Sequence, residues 1–148
     1  MEIELATIND VPALLDLQRM AFAQQCKDLC WEDAPPMTES LEQAYEDFAE
    51  NTTLKIQLED GHIIGSVRGK VTDGSLYIGR LMVLPEFRGQ GLGKQLFRQI
   101  QVIPHSRVWL STCTQVSAPY EFYLREGFKV FKSEMAGPGL TWVLMEKL

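Results

Sequence analysis

The chain has little of several things that would settle its class at once. It carries two histidines and three cysteines in 148 residues. Cys26, Cys30 and Cys113 are odd in number and too sparse for the disulfide framework of a small secreted fold, so free reduced thiols are expected. No second pair of Cys or His accompanies Cys26 and Cys30, and no metal site is expected. No apolar run approaches the roughly 20 residues that span a bilayer, and Met1-Glu2-Ile3-Glu4-Leu5 lacks a basic segment followed by an apolar one. A cytoplasmic protein with no membrane partner is the expectation. Basic residues are also short, with 14 Lys and Arg against 20 Asp and Glu for a formal net charge of -6. Affinity for a phosphate backbone comes from clustered cations, which argues against nucleic acid as a partner. An acidic surface suits cationic small molecules or a basic peptide better.

Repeats, low-complexity tracts and Gly/Ser linkers are absent too, so residues 1–148 read as one domain. Apolar residues make up 45% of the chain and charged residues 23%, enough for one packed core. The sequence is compatible with a homodimer.

What is present has clear periodicity. Glu2 to Ala6 reads as a short strand, after which Asn9 or Asp10 can cap a helix ending near Lys27. Val11, Leu14, Leu15, Met20 and Phe22 are available for its apolar face. Pro35-Pro36 predicts an extended connection before Thr38 or Ser40 starts a second helix, whose stripe is Leu41, Ala44, Tyr45, Phe48 and Ala49. From Thr53 the period becomes two, and the turns Asp60-Gly61 and Asp73-Gly74 divide the stretch to Leu84 into three antiparallel strands. The third ends in Leu81-Met82-Val83-Leu84 and is apolar enough to be central and covered on both faces. A helix over Leu92 to Gln101 should turn Leu92, Leu96, Phe97 and Ile100 inward. The strand Arg107 to Thr112 can then lie parallel to the one before it as a β-α-β crossover. Ser117 should cap a short helix that stops at Gly127, and two strands around Gly137-Pro138-Gly139 finish the chain.

The most informative stretch is Arg88-Gly89-Gln90-Gly91-Leu92-Gly93-Lys94, between the central strand and a helix. Glycines let backbone N–H groups crowd toward a ligand, and a helix N-terminus carries unpaired donors and partial positive charge. Arg88 and Lys94 add cations, which suits a diphosphate. The P-loop of nucleotide triphosphatases needs Ser or Thr after its lysine, whereas Gln95 follows Lys94 here. A dinucleotide fold fits poorly as well, because the glycines follow hairpin strands and do not open a first β-α-β unit.

With these residues the chain resembles the GNAT acyltransferases. Their signature Arg/Gln-x-x-Gly-x-Gly/Ala is matched by Arg88, Gly91 and Gly93. Val83-Leu84-Pro85 matches the Val-x-Pro that ends the preceding strand, and Tyr123 lies four residues before Gly127-Phe128. The order of elements agrees over essentially the whole chain. The resemblance implies an α/β (α+β) GNAT fold, a mixed central sheet of about seven strands with a β-α-β acetyl-CoA-binding core and flanking helices. It implies an acetyl-CoA-dependent N-acyltransferase that passes acetyl directly to a primary amine of a small molecule or peptide. The rival reading is a non-catalytic CoA-binding sensor or interaction module.

By the same resemblance, Leu81, Met82 and Val83 supply main-chain contacts to the pantetheine arm in a gap between the fourth and fifth strands. Arg88, Gly89, Gln90, Gly91, Leu92, Gly93 and Lys94 hold the pyrophosphate. Tyr123 is the general acid that protonates the departing sulfur, and a backbone N–H near Met82 or Val83 polarises the carbonyl. Val116 stands where many relatives carry Asn, with Gln115 or Thr114 able to replace its contact. The base is open among Glu32, Asp33 and Glu39, with Tyr77 and Arg80 nearby on the central strand. Cys113 has no histidine placed to activate it, which argues against an acyl-enzyme.

Overall fold

The computed structural model describes residues 2–137 and 139–148. Seven strands form one sheet: β1 Ile3–Leu5, β2 Thr52–Gln57, β3 Ile63–Thr72, β4 Ser75–Val83, β5 Arg107–Cys113, β6 Lys129–Gly137 and β7 Leu140–Lys147. Their order is β1-β2-β3-β4-β5-β7-β6. Every neighbouring pair is antiparallel except β4 with β5, which is parallel. Helices α1 Val11–Asp28, α2 Pro35–Thr38 and α3 Leu41–Glu50 precede β2, while α4 Leu92–Ile100 and α5 Ser117–Arg125 flank β5. The mixed sheet and its β4-α4-β5 crossover are those expected from the sequence.

Helix α4 buries Leu92, Leu96, Phe97 and Ile100, the face its periodicity predicts. These side chains pack on Val67, Leu76, Ile78, Val108 and Leu110, the residues that strand alternation sends to that side. Room for the contact comes from glycine: a Cβ on Gly69 would meet Leu76 and Ile100 at 3.0 Å, and one on Gly65 would meet Leu96 at 3.2 Å. The other face of β3 and β4 is covered by α1, with Leu14, Leu17 and Ala21 against Ile63 and Met82. Val11 and Leu15 join Ala44 of α3.

Several local expectations change. Met20 does not join the core of α1 but stands 55% exposed, and Phe22 is half-buried, because Leu17 and Ala21 take the inward positions. Leu41 and Tyr45 are exposed, so the inward stripe of α3 narrows to Ala44 and Phe48. Pro35 and Pro36 start the turn of α2, since fixed φ suits the first helical positions. Ser40 caps α3, its Oγ accepting from Gln43 N–H at 3.1 Å. Val116, not Ser117, occupies the cap position of α5. In the last turn Pro138 lies outside the described residues. Strand β4 is central and its end is covered on both faces as expected, by α4 and by α1 at Met82, but the cover on the α1 face stops short of Tyr77, which is half-buried. Among the described residues no helix is long and apolar enough to cross a membrane.

The approach of β2 to the start of α1 is fixed by one charged contact. Lys55, nearly buried, reaches Asp10 at 2.9 Å. The same carboxylate accepts from Thr7 N–H at 2.8 Å. Burial works against the charge on Asp10, but the Thr7 and Lys55 hydrogen bonds outweigh it and hold the carboxyl below its usual range. A carboxyl lowered in the folded state stabilises above its unfolded pKa, near 3.8, and that stability is lost as pH falls through the folded value. Asp10→Asn should therefore lower stability by about 2 kcal/mol at pH 7, because Lys55 keeps its charge without an ionised partner. The deficit should shrink as pH falls below 4, as measured by urea unfolding of both proteins.

Candidate active site

Strands β4 and β5 pair over three positions only, Ser75 with Arg107, Leu76 with Val108 and Tyr77 with Trp109. Beyond Tyr77 each continues, β4 to Val83 and β5 to Cys113, without pairing to the other. A wedge therefore opens in the middle of the sheet, lined on both sides by main-chain groups that strands normally satisfy in each other.

A bulge sets the direction of those groups. Ser66 of β3 stands opposite Met82 and Arg68 opposite Gly79, so Arg80 and Leu81 together face Val67. Arg80 takes φ +50°, in the left-handed region. Downstream, Leu84 N–H donates to Ile64 O at 2.8 Å. Alternation along a strand then sends the N–H and C=O of Val83 away from β3, toward the wedge. Met82 O faces β3, 3.4 Å from a Cβ placed on Gly65. Of the two backbone donors expected near the reacting carbonyl, Val83 N–H is the one that points into the wedge.

The glycine loop closes the end of the wedge. Gly89 has φ +82° and Gly91 φ +80°, and a Cβ built on either meets nothing within 4 Å. Both face open space. Gly91 is the N-cap of α4, so the N–H groups of Leu92, Gly93 and Lys94 have no carbonyl one turn back. Gly93 sits beside Val83, with 3.8 Å from its virtual Cβ to Cγ2, which ties the loop to the strand end. Converging free donors with space in front of them fit a diphosphate. Lys94 is exposed and forms no ion pair among the described residues.

Arg88 behaves differently from its expected phosphate contact. Its Nε donates to Val83 O at 3.1 Å and its Nη2 to Ala21 O at 2.8 Å. The guanidinium clamps the end of β4 to α1, and Lys94 remains the exposed cation of the loop.

Tyr123 lies on α5, half-buried against α4, with its ring 5.4 Å from Phe97 and 5.5 Å from Phe122. Burial, with a smaller contribution from Tyr77, pushes its phenol up to about 12. The hydroxyl makes no hydrogen bond among the described residues, so its proton is held and free to be donated. Helix α4 thus carries the loop at its start and the support of Tyr123 further along.

Of the candidate bases, Glu32 and Asp33 are exposed on the connection before α2. Glu39 is enclosed. Its Oε2 accepts from Gln18 at 3.0 Å and its Oε1 lies 3.9 Å from Arg68, which also reaches Asp47 at 3.7 Å. Burial first, then the Asp47 carboxyl, raises Glu39 above the usual carboxylate range. Burial opposes ionisation of Asp47 as well, but the hydrogen bond from Glu39 holds Asp47 low. Arg80 stands beside the pair with a buried Nε that has no partner. Sequence reading named Glu39 and Arg80 but missed Asp47 of α3 and Arg68 of β3; the signal for Arg68 is a charge within a buried strand. Gln115 is engaged elsewhere, accepting from Thr141 N–H at 3.2 Å, which leaves Thr114 beside Val116. Cys113 is 3% exposed, and burial pushes its thiol up. His62 pairs with Asp60 at the β2–β3 hairpin and His105 contacts Ile103 O, so neither serves that thiol.

With this geometry in view, residues 23–148 match the family model of the acetyltransferase (GNAT) domain, and the chain belongs to that family. A similar structure is the PaiA N-acetyltransferase of Thermoplasma acidophilum in complex with coenzyme A, at 22% identity and TM-score 0.78, covering 99% of each chain. Another is the ribosomal-protein-alanine N-acetyltransferase of Brucella melitensis, at 18% identity and TM-score 0.72 over 100% of this chain and 99% of that one. An aminoglycoside 6'-N-acetyltransferase complexed with coenzyme A aligns at 17% identity and TM-score 0.70 over 99% of this chain and 96% of that one. These likenesses establish the fold. Comparison with curated proteins finds no match.

The loop assignment has a direct test. Gly91→Val places a branched side chain in the open space before α4, and should weaken binding of acetyl-CoA at least tenfold by calorimetry. Gly61, at φ +96° in the β2–β3 hairpin, supplies the control. Gly61→Val carries comparable backbone strain, of order 1–3 kcal/mol, but should bind as wild type does. Equal losses in both variants would reduce the effect to destabilisation.

Proposed function

We propose that residues 1–148 form one cytoplasmic acetyltransferase domain that passes acetyl from acetyl-CoA directly to a primary amine of a small molecule or peptide. The observation that carries this reading is the early end of β4–β5 pairing, which leaves Val83 N–H at an open strand edge beside the glycine loop. A linear, amide-bearing arm can lie along such an edge as an added strand. Leu81, Met82 and Val83 would flank it, and Gly89, Gln90, Gly91, Leu92, Gly93 and Lys94 would hold its phosphates, with Arg88 keeping the loop in place from behind.

The thioester supplies the activated acyl group; the chain supplies orientation and protons. Val83 N–H is placed to stabilise negative charge that develops on the carbonyl oxygen, as preformed donors do in other acyl transfers. Tyr123 holds the proton that the departing sulfur needs. The acceptor amine loses a proton as the amide forms, and the Glu39–Asp47 pair beside Arg80 is the enclosed carboxyl system that would receive it. A non-catalytic CoA-binding module would need the strand edge and the glycine loop but not the Tyr123 hydroxyl, so removing that hydroxyl separates the two readings.

Tyr123→Phe should keep affinity for acetyl-CoA, and should keep stability within about 1 kcal/mol because the hydroxyl has no protein partner. Its single-turnover rate should fall by about 10²–10⁴-fold, the usual contribution of general acid catalysis. The sign of the pH dependence follows. An acid must be protonated to act, and a phenol at about 12 stays protonated throughout the accessible range. The wild-type rate should rise with pH as an amine of reference pKa about 10.4 loses its proton, with no alkaline fall up to pH 10. A rate unchanged by Tyr123→Phe would assign the proton to another group or to water.

Cys113→Ala should retain most activity, because a thiol raised by burial supplies little thiolate at pH 7. An acetylated cysteine trapped in wild type, with loss of turnover in the folded variant, would replace direct transfer by a covalent route.

A further inference from the structure

On the face of the sheet opposite α4, α1 covers the Met82 end of β4, and the stretch beyond it, from Tyr77 and Trp109 across to Trp142 and Leu144, lies open. It holds an open trough of about 450 Å³. Tyr77 and Trp109 stand at one end with ring centroids 4.6 Å apart. Trp142 stands at the other, braced by Trp31 from the connection after α1 at 5.9 Å. Trp109 and Trp142 lie opposite Glu146 and Cys113 in the β5–β7 ladder. The two indoles are thus separated by about 13 Å along the strands, with Ser111 and Leu144 between them.

The charges around this trough are already answered. Glu134 pairs with Lys132 at 3.1 Å, and Lys70 with Glu50 at 3.4 Å. Arg107 stacks over Trp109 and Phe131 at 5.7 and 4.8 Å and binds Glu146 at 2.6 Å. Although the chain carries a net charge of -6, the trough is lined by one carboxylate, Glu134, and one ammonium, Lys70, and so has no net charge of its own. It also communicates with the wedge. The Tyr77 hydroxyl lies 3.2 Å from Ser111 Oγ, bridging β4 and β5 where their pairing stops.

We propose that this trough is the acceptor subsite and that it selects an arylalkyl monoamine, its flat ring between the tryptophans and its amine directed to the wedge, over a polyamine or a peptide. The proposal rests on the acetyltransferase reading. Aromatic walls reward a ring by offset or edge-on contact. A second ammonium, as in a polyamine, would leave water to meet only Glu134, which already faces Lys132. A peptide would bring main-chain amides against a surface whose partners at hand are Ser111 and Tyr77, already bonded to each other.

The test uses the full chain with tryptamine, spermidine and an alanine-terminated hexapeptide, reading both calorimetric binding and the initial rate of CoA-thiol release. Tryptamine should exceed both others at least tenfold in kcat/KM. Trp109→Ser should raise its KM about tenfold, more than it lowers kcat, and Trp109→Phe should restore it. Leu144→Lys, a second variant for the case in which Trp109→Ser does not fold, should weaken tryptamine as strongly. Equal or better use of spermidine or the peptide overturns the proposal, as does tryptamine binding unmoved by the folded variants. A homodimer that hides the trough, seen by sedimentation together with no tryptamine binding, overturns it too. Tryptamine binding without thiol release from any amine would leave the subsite standing and remove the acetyltransferase reading.

Discussion

Strand β4 leaves β5 after Tyr77, and contacts well away from the opening keep it there. A sheet broken in its centre exposes main-chain donors and acceptors that its neighbours satisfy in pairs, so the break needs support from outside the ladder. Arg88 gives part of it, fixing Val83 O and Ala21 O with one guanidinium so that the end of β4 is held by α1 and cannot swing back to β5. The bulge at Arg80 gives the rest. A non-glycine residue in the left-handed region costs about 1–2 kcal/mol. The cost is met where Arg80 and Arg68 share a partly enclosed site with Glu39 and Asp47. Removing either carboxyl would leave two guanidinium groups with a single counter-charge between them, which ties the bulge to α3 and the loop before it.

Much of this was legible in the sequence and some was not, for physical reasons. Alternation in β2 to β4, the inward face of α4 and the glycine loop follow from local pattern. Each of those residues answers to its own neighbours. The parallel pairing of β4 and β5 also followed, because a helix between two strands leaves few other arrangements. The bulge did not. Ile78-Gly79-Arg80-Leu81 reads as uninterrupted strand, and the extra residue is fixed by charges on α3 and on the loop before it. Arg88 matched a signature, yet its partners depend on where the middle of α1 crosses the end of β4, which no spacing within the loop records. Met20 and Leu17 are both apolar on α1, and only the packing of Ile63 and Met82 decides between them. The trough escaped notice because its tryptophans come from the connection after α1 and from β5 and β7, three separate stretches of chain.

Helix α4 joins the two chemical ends of the wedge. Its first turn presents free N–H groups beside Gly91, and Phe97, farther along the same rod, carries Tyr123. A rigid helix thus sets the separation between the phosphate donors and the phenol. Substitutions that shift α4 should disturb binding and proton donation together, unlike changes confined to the loop. Gly65 and Gly69 bear on this without touching either site. Added side chains there would press on Leu96 and Ile100 and tilt the rod.

The charge distribution then separates the roles of the two faces. An acidic protein binding a polyanionic cosubstrate would be opposed by its own field if the whole charge acted at once. At 0.1 M salt, however, interactions fade over about 10 Å, so the groups around the loop decide. There Lys94, the helix terminus and the nearby Arg88 present positive potential, and Glu126, the acid at the far end of α4, is taken up by Arg98 at 3.1 Å. On the opposite face the trough is neutral, its acids and bases joined to one another and its walls aromatic. Long-range attraction of cations by the acidic surface can bring many amines to the protein, but at the wedge it gives way to contact. On the proposed reading, selection among them falls to shape and stacking in the trough, and the cosubstrate would be held by local donors at the glycine loop.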